Sequence, residues 1–176
     1  MKKISILGST GSIGVNALNV IRKIPEKFQV MHLTGNMNTK KMIAQGKEFL
    51  PASITMVDIQ AAEIVEKALK GLSIEIYSGR DKLLDLAGDK NVDLLLNALV
   101  GASGMEPTLK ALENGVDVAL GAAVLDGIVA CTDLLIEDLV FQLPFFELVF
   151  ELNSPIRFDA FWYSSYFATE ALGVGA

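Results

Sequence analysis

Short runs of β-branched and aliphatic residues alternate with longer stretches of helical spacing through the first two-thirds of the chain. Ile4 to Leu7 is a fully apolar run of strand length. Ile13 to Ile24 then places Leu18, Val20 and Ile21 at helical spacing. The pattern repeats. Phe28 to Leu33, Ile54 to Val57, Ile74 to Tyr77, Val92 to Leu96 and Val116 to Leu120 read as strands. Thr39 to Leu50, Ala61 to Leu69, Leu83 to Ala87 and Pro107 to Asn114 read as the helices between them. Such a βαβα rhythm predicts an α/β fold: a parallel sheet with helices on both faces and right-handed crossovers.

Beyond Leu120 the rhythm fades. Val124 to Val140 has Leu125, Ile128, Val129, Leu135 and Leu139 at the spacing of one helix. From Phe141 onward the chain is rich in aromatics, among them Phe145, Phe146, Phe150, Phe158, Phe161, Trp162, Tyr163, Tyr166 and Phe167. The expected division is therefore residues 1–121 as one domain and 122–176 as a divergent or truncated C-terminal segment. Periodicity leaves three readings of that segment open: part of a second domain, a dimer surface or an atypical tail. Left exposed, its aromatics would form an association-prone patch.

Composition narrows the classes. Of 176 residues, 51% are apolar, and the formal net charge is −6. No basic stripe tracks a phosphate backbone, which argues against nucleic acid. Lys2 and Lys3 precede an apolar run as in a secretory signal, but the run stops at Gly8, too soon for the apolar core of one. No stretch approaches the ~18 apolar residues of a membrane helix. The nearest, Leu139 to Leu152, contains Gln142, Pro144, Glu147 and Glu151. The single cysteine, Cys131, has no disulfide partner in the chain, in keeping with a reducing cytoplasm.

The strongest chemical signal is Gly8-Ser9-Thr10-Gly11-Ser12-Ile13-Gly14, directly after a strand and opening a helix. Gly8 allows the tight turn, Gly11 lets the backbone approach a pyrophosphate, and Gly14 permits close helix packing. The helix start offers free N–H groups and a partial positive charge to phosphates. Ser9, Thr10 and Ser12 add hydroxyl donors. In this setting the G-x-x-G-x-x-G spacing predicts a dinucleotide site on a Rossmann-like doubly wound sheet. The second strand continues Leu33-Thr34-Gly35-Asn36-Met37-Asn38 without a carboxylate, and Lys40 and Lys41 follow. An NAD-specific fold would carry an acid there for the ribose 2′-hydroxyl. Its absence favours NADP.

These residues resemble the family of 1-deoxy-D-xylulose 5-phosphate reductoisomerase. The resemblance runs from Gly8–Gly14 through Asn38, Gln45, the Phe49-Leu50-Pro51 turn and Gly79. It is sharp again from Asn97-Ala98-Leu99-Val100-Gly101 to Leu109 and at Ala111–Gly115, covering about residues 1–120. It implies an NADPH-dependent oxidoreductase of isoprenoid biosynthesis. The substrate implied is a sugar phosphate, rearranged and reduced to 2-C-methyl-D-erythritol 4-phosphate with Mg²⁺ or Mn²⁺. A homodimer is implied as well. Carried over, Thr10, Gly11, Ser12 and Ile13 hold the pyrophosphate. Asn36, Met37 and Asn38 lie beside the adenosine ribose phosphate, and Gly101 to Gly104 line the nicotinamide side. A basic residue is common in the family where this chain has Met37.

The resemblance breaks after the sixth strand. The family continues with Ala-Asn-Lys-Glu, whereas this chain reads Leu120-Gly121-Ala122-Ala123-Val124-Leu125-Asp126. Asp126 stands in for the Glu only if a short insertion is allowed, and no lysine appears. The family's Asp-Ser-Glu-His metal segment has no counterpart either. The nearest acids, Glu137, Asp138, Glu147, Glu151 and Asp159, do not match it. No catalytic residue and no metal ligand can therefore be assigned. The chain alone is expected to bind NADPH weakly and to turn over nothing. Of the remaining residues, His32 reads as a packed or edge histidine, since the sequence offers it no partner. Cys131 reads as a small core residue, and Asp133, Glu137 and Asp138 as a solvated helix face. The alternative function is a non-catalytic NADP-binding module with an interaction tail. A dehydrogenase of the aspartate-semialdehyde type ranks last, because Cys131 lacks the setting of a catalytic cysteine.

Overall fold

The computed structural model describes residues 1–121. Six strands form one parallel sheet: β1 (Lys2–Leu7), β2 (Phe28–Gly35), β3 (Ser53–Met56), β4 (Glu75–Ser78), β5 (Leu94–Asn97) and β6 (Asp117–Leu120). Between them run α1 (Ser12–Lys23), α2 (Thr39–Phe49), α3 (Ile59–Ala68), α4 (Arg80–Ala87) and α5 (Met105–Glu113), with a 3₁₀ turn at Gly101–Gly104. The strand order is β4-β3-β2-β1-β5-β6, all neighbours parallel. The chain winds outward from β1 to β4, then returns to β5 on the other side of β1. The open, Rossmann-like sheet thus reverses direction between β1 and β5, the point where such folds form a ligand crevice.

Strand alternation sorts the side chains into two cores. Ile4 and Ile6 of β1 face a cluster with Leu18 and Ile21 of α1, Met42 of α2 and Val65 of α3. Leu7 of β1 and Leu95 of β5 face the opposite cluster, with Leu83 of α4 and Ala111 of α5. Three helices therefore cover one face and two the other. Beside α1 an apolar groove of about 450 Å³ opens over Leu94, Leu96 and Ala119. A bulge between Ile4 and Ser5 moves the β1–β2 pairing from Val30 to His32. It keeps Val30 and Leu33 in one core while Met31 packs into the other.

Several boundaries differ from the sequence expectation for physical reasons. Helix α4 begins at Arg80 rather than Leu83, because Gly79 at φ +91° turns the chain and the helix's first turn is polar. Helix α5 begins at Met105, with Pro107 inside its first turn, where a missing N–H costs nothing. Strand β5 begins at Leu94 rather than Val92, whose N–H closes a turn onto the Asp89 carbonyl at 3.1 Å. Strand β2 runs on to Gly35, pairing it with Met56. The expectations for Val124–Val140, Asp126, Cys131, the acids from Asp133 to Asp159 and the aromatic segment lie outside the described residues.

His32 is buried, and it does have partners. Its Nδ1 lies 2.8 Å from Ser53 Oγ and its Nε2 3.0 Å from Asp89 Oδ2. The ring ties β2 and β3 to the turn after α4. Burial works against the Asp89 carboxylate, but hydrogen bonds from the Asn91 main chain, His32 and the Asn91 side chain outweigh it and hold its pKa below the ordinary value. A carboxylate lowered in this way stabilises the fold fully above its unfolded pKa, about 3.9, and loses that contribution as pH falls through the folded value. Asp89→Asn is expected to cost about 1 kcal/mol at pH 7. The gap to wild type should close on acidification, read from urea midpoints between pH 7 and 3. A gap that widens in acid contradicts this assignment.

Candidate functional site

The crevice at the sheet reversal is built from the loops after β1 and β5. Gly8 leaves β1 at φ +74°, and a Cβ there would stand 2.9 Å from the Ala98 carbonyl oxygen. A side chain would therefore wedge the two loops apart. Gly11 is the N-cap of α1 and supplies no side-chain cap. Its own N–H bonds the Gly8 carbonyl at 3.0 Å, and its carbonyl accepts the first helical bond from Val15 N at 2.9 Å. The N–H groups of Ser12, Ile13 and Gly14 then lead the helix without intrahelical acceptors. By contrast, α2 and α3 are capped by Asn38 and Asp58. At Gly14 a Cβ would meet Ser9 Cα at 2.5 Å and the Gly8 oxygen at 2.6 Å. This glycine thus admits the loop against the helix, a closer constraint than helix-to-sheet packing. Gly11 and Ser12 are exposed, and Thr10 and Ile13 half-buried.

One expectation is overturned. Ser9 does not face a ligand: it is wholly buried, and its hydroxyl lies 2.8 Å from Gln45 Oε1 and 3.2 Å from the Thr34 carbonyl. A hydroxyl in a loop can turn inward where buried acceptors await it, and here two elements supply them. Thr34 of β2 also accepts from Gly8 N through Oγ1 at 3.0 Å and from Ser9 N through its carbonyl at 2.8 Å. Gln45 of α2 donates from Nε2 to the Ser9 carbonyl at 2.9 Å. Thr34 and Gln45 thus hold the cradle rigid. Sequence reading assigned neither this role, although Gln45 belonged to the resemblance.

On the far side of the crevice Asn97 ends β5, paired with Leu7 and fully buried. Its Nδ2 donates to the Gly104 carbonyl at 2.7 Å and to Thr108 Oγ1 at 2.8 Å, and its Oδ1 accepts from Leu99 N at 3.2 Å. These bonds anchor the Gly101–Gly104 turn. Gly101 enters that turn at φ +61°. Arg80 steadies it from α4, donating to the Ser103 carbonyl at 3.1 Å. Asn36, Met37 and Asn38 are exposed beyond the end of β2, next to the glycine loop, while Asn38 Oδ1 caps α2 by accepting from Lys41 N at 3.1 Å.

A family model described as 1-deoxy-D-xylulose 5-phosphate reductoisomerase matches residues 4–123. The chain belongs to the 1-deoxy-D-xylulose 5-phosphate reductoisomerase family. The reductoisomerase of Thermodesulfovibrio yellowstonii is 44% identical over 115 residues, which are 65% of this chain and 30% of that protein. A crystal structure of DOX-P reductoisomerase in complex with NADPH, fosmidomycin and magnesium superposes with a TM-score of 0.68 at 33% identity, covering 73% of this chain and 31% of that one. The reductoisomerase from Zymomonas mobilis in complex with NADPH does so with a TM-score of 0.68 at 31% identity, covering 73% and 33%. The chain thus spans about a third of the length of the reductoisomerases it matches. Among the described residues, no three His, Cys, Asp or Glu side chains gather as a metal site, and no helix is long and apolar enough to cross a membrane.

Proposed function

We propose that residues 1–121 form the NADPH-binding domain of a 1-deoxy-D-xylulose 5-phosphate reductoisomerase, with residues 122–176 a separate C-terminal segment. The observation that carries this reading is the cradle itself. Backbone N–H groups of an uncapped α1 face the crevice over a loop where Cβ atoms at Gly8 and Gly14 would strike main chain. Such a surface suits a group that must approach backbone closely and carries negative charge.

In this reading Thr10, Ser12 and Ile13 bind the pyrophosphate through main-chain N–H groups, and Gly11, whose own N–H is taken by the Gly8 carbonyl, lies against it without a side chain in the way. Gly8 and Gly14 make that approach feasible. Asn36, Met37 and Asn38 flank the adenosine ribose, and the Gly101 turn, fixed by Asn97, orients the nicotinamide. NADPH bound there supplies the hydride for a sugar phosphate. The residues of this domain bind and orient the donor. A second copy of the chain and a cytoplasmic setting complete the proposal.

The test is fluorescence titration of the 176-residue chain with NADPH, paired with an absorbance assay on 1-deoxy-D-xylulose 5-phosphate and Mn²⁺. Saturable binding without turnover is expected. Turnover by the chain alone would refute the assignment of binding without catalysis. Absence of binding by a folded chain would refute the cofactor site.

A further inference from the structure

The reading of the crevice as an NADPH site leaves one group unplaced: whatever distinguishes NADPH from NADH. After β2, Asn36, Met37 and Asn38 offer no carboxylate to a ribose 2′-hydroxyl, and none of them is charged. The cations come one turn later. With Asn38 as its cap, α2 begins Thr39-Lys40-Lys41 and has no acid in its first turn. Two cations at a helix N-terminus reverse the charge order that the helix dipole favours. Helix α4 also opens with two cations, Arg80 and Lys82, but there Asp81 stands between them, so α2 alone of the five described helices has cations and no acid in its first turn. The first turns of α1 and α3 are uncharged, and those of α4 and α5 contain Asp81 and Glu106. An anion bound at this end would relieve the strain of like charge.

Lys41 is also held in place. Its Nζ donates to the main-chain carbonyl of Thr10 at 3.1 Å, bridging from α2 to the glycine loop. Among the described residues no carboxylate lies within 4.0 Å of it. A neutral carbonyl occupies one of the ammonium's three donors and leaves the charge unneutralised. The side chain is exposed, so the two remaining donors are open to a ligand. The ammonium therefore stands between the loop that takes the pyrophosphate and the strand end that takes the ribose.

The geometry points to Lys41 as the residue that reads the 2′-phosphate and sets the preference for NADPH, with Lys40 as an unanchored second cation. This rests on the crevice being a nicotinamide-nucleotide site, and the two ideas fail differently. Lys41→Gln keeps a donor for the Thr10 carbonyl while removing the charge. In titrations of the full chain it should weaken NADPH binding by about tenfold or more, the worth of one charge-assisted hydrogen bond. Binding of NADH should change by less than about twofold, since that nucleotide lacks the phosphate. The salt dependence of NADPH binding should flatten as well. Adenosine 2′,5′-bisphosphate should lose affinity in parallel, while AMP should not. Lys41→Arg should retain the preference.

Equal weakening of NADPH and NADH by Lys41→Gln would assign Lys41 to loop positioning and overturn the proposal. So would an unchanged NADPH affinity. Equal affinity of the wild-type chain for the two nucleotides would also overturn it, while leaving the cofactor site standing. A folded chain that binds neither nucleotide would sink both.

Discussion

Gly14→Ala is expected to lower stability by about 3 kcal/mol and to abolish NADPH binding, the largest effect of any single methyl group in this domain. The added carbon would lie 2.5 Å from Ser9 Cα and 2.6 Å from the Gly8 carbonyl oxygen. Ordinary carbon contacts need about 3.5–4.0 Å, so something must move by about an ångström. Neither neighbour is the end of a flexible side chain. Ser9 is pinned from behind by Thr34 and Gln45, through bonds of 2.8 to 3.2 Å. The helix must give instead, carrying the Ser12 and Ile13 N–H groups away from the cradle. Because Leu18 and Ile21 of α1 are core residues, that displacement also disturbs packing against β1. Urea midpoint and NADPH titration check the two halves separately. A variant as stable as wild type would show that α1 does not rest on the loop as closely as these distances require.

The fate of Ser9 shows where sequence reading of the site stops. The glycines were legible because each answers a local demand: a left-handed turn at Gly8, a bare helix start at Gly11, a close approach at Gly14. The strands were legible because a parallel sheet covered on both faces buries consecutive residues, so each reads as a short apolar run between helical patterns. Ser9, however, was read as a phosphate donor. Its true partners stand 25 and 36 residues away, on elements whose approach depends on the whole sheet. His32 reads correctly as a packed histidine, but its partners stay hidden for the same reason. Its partners, Ser53 and Asp89, are 21 and 57 residues distant. Lys41 lay between these cases. Its nearness to the second strand was visible in the chain, but its bond to Thr10 arises only when α2 and the loop meet. Local conformational needs thus survive in sequence, whereas long-range polar pairing has to be seen in the fold.

Asn97 is the second position where a large effect is expected, and its chemistry allows a sharper test than truncation. Asn97→Leu fills a similar volume but removes both donor and acceptor. It strands the Leu99 N–H and leaves the Gly104 carbonyl with Thr108 alone, at 2.8 Å. Loss of buried partners of this kind costs about 1–3 kcal/mol per group, so about 3 kcal/mol in all is expected from urea denaturation at neutral pH. Asn97→Asp separates the two halves of the amide. Its carboxylate still accepts from Leu99 N, yet its other oxygen would face the Gly104 carbonyl and Thr108 Oγ1, which now meet an acceptor instead of a donor. Burial and the facing carbonyl both raise the pKa of such a carboxyl. A raised pKa means that the folded state binds a proton more tightly than the unfolded chain, so stability recovers as pH falls and is lost as it rises. At pH 7 Asn97→Asp should therefore be at least as damaging as Asn97→Leu, and near pH 4 it should be the milder of the two. Asn97→Leu should show no such crossing. If the two variants instead run parallel across that range, the Nδ2 bonds to Gly104 and Thr108 do not hold the second loop, and the Gly101–Gly104 side of the crevice is organised by the Arg80 contact to Ser103.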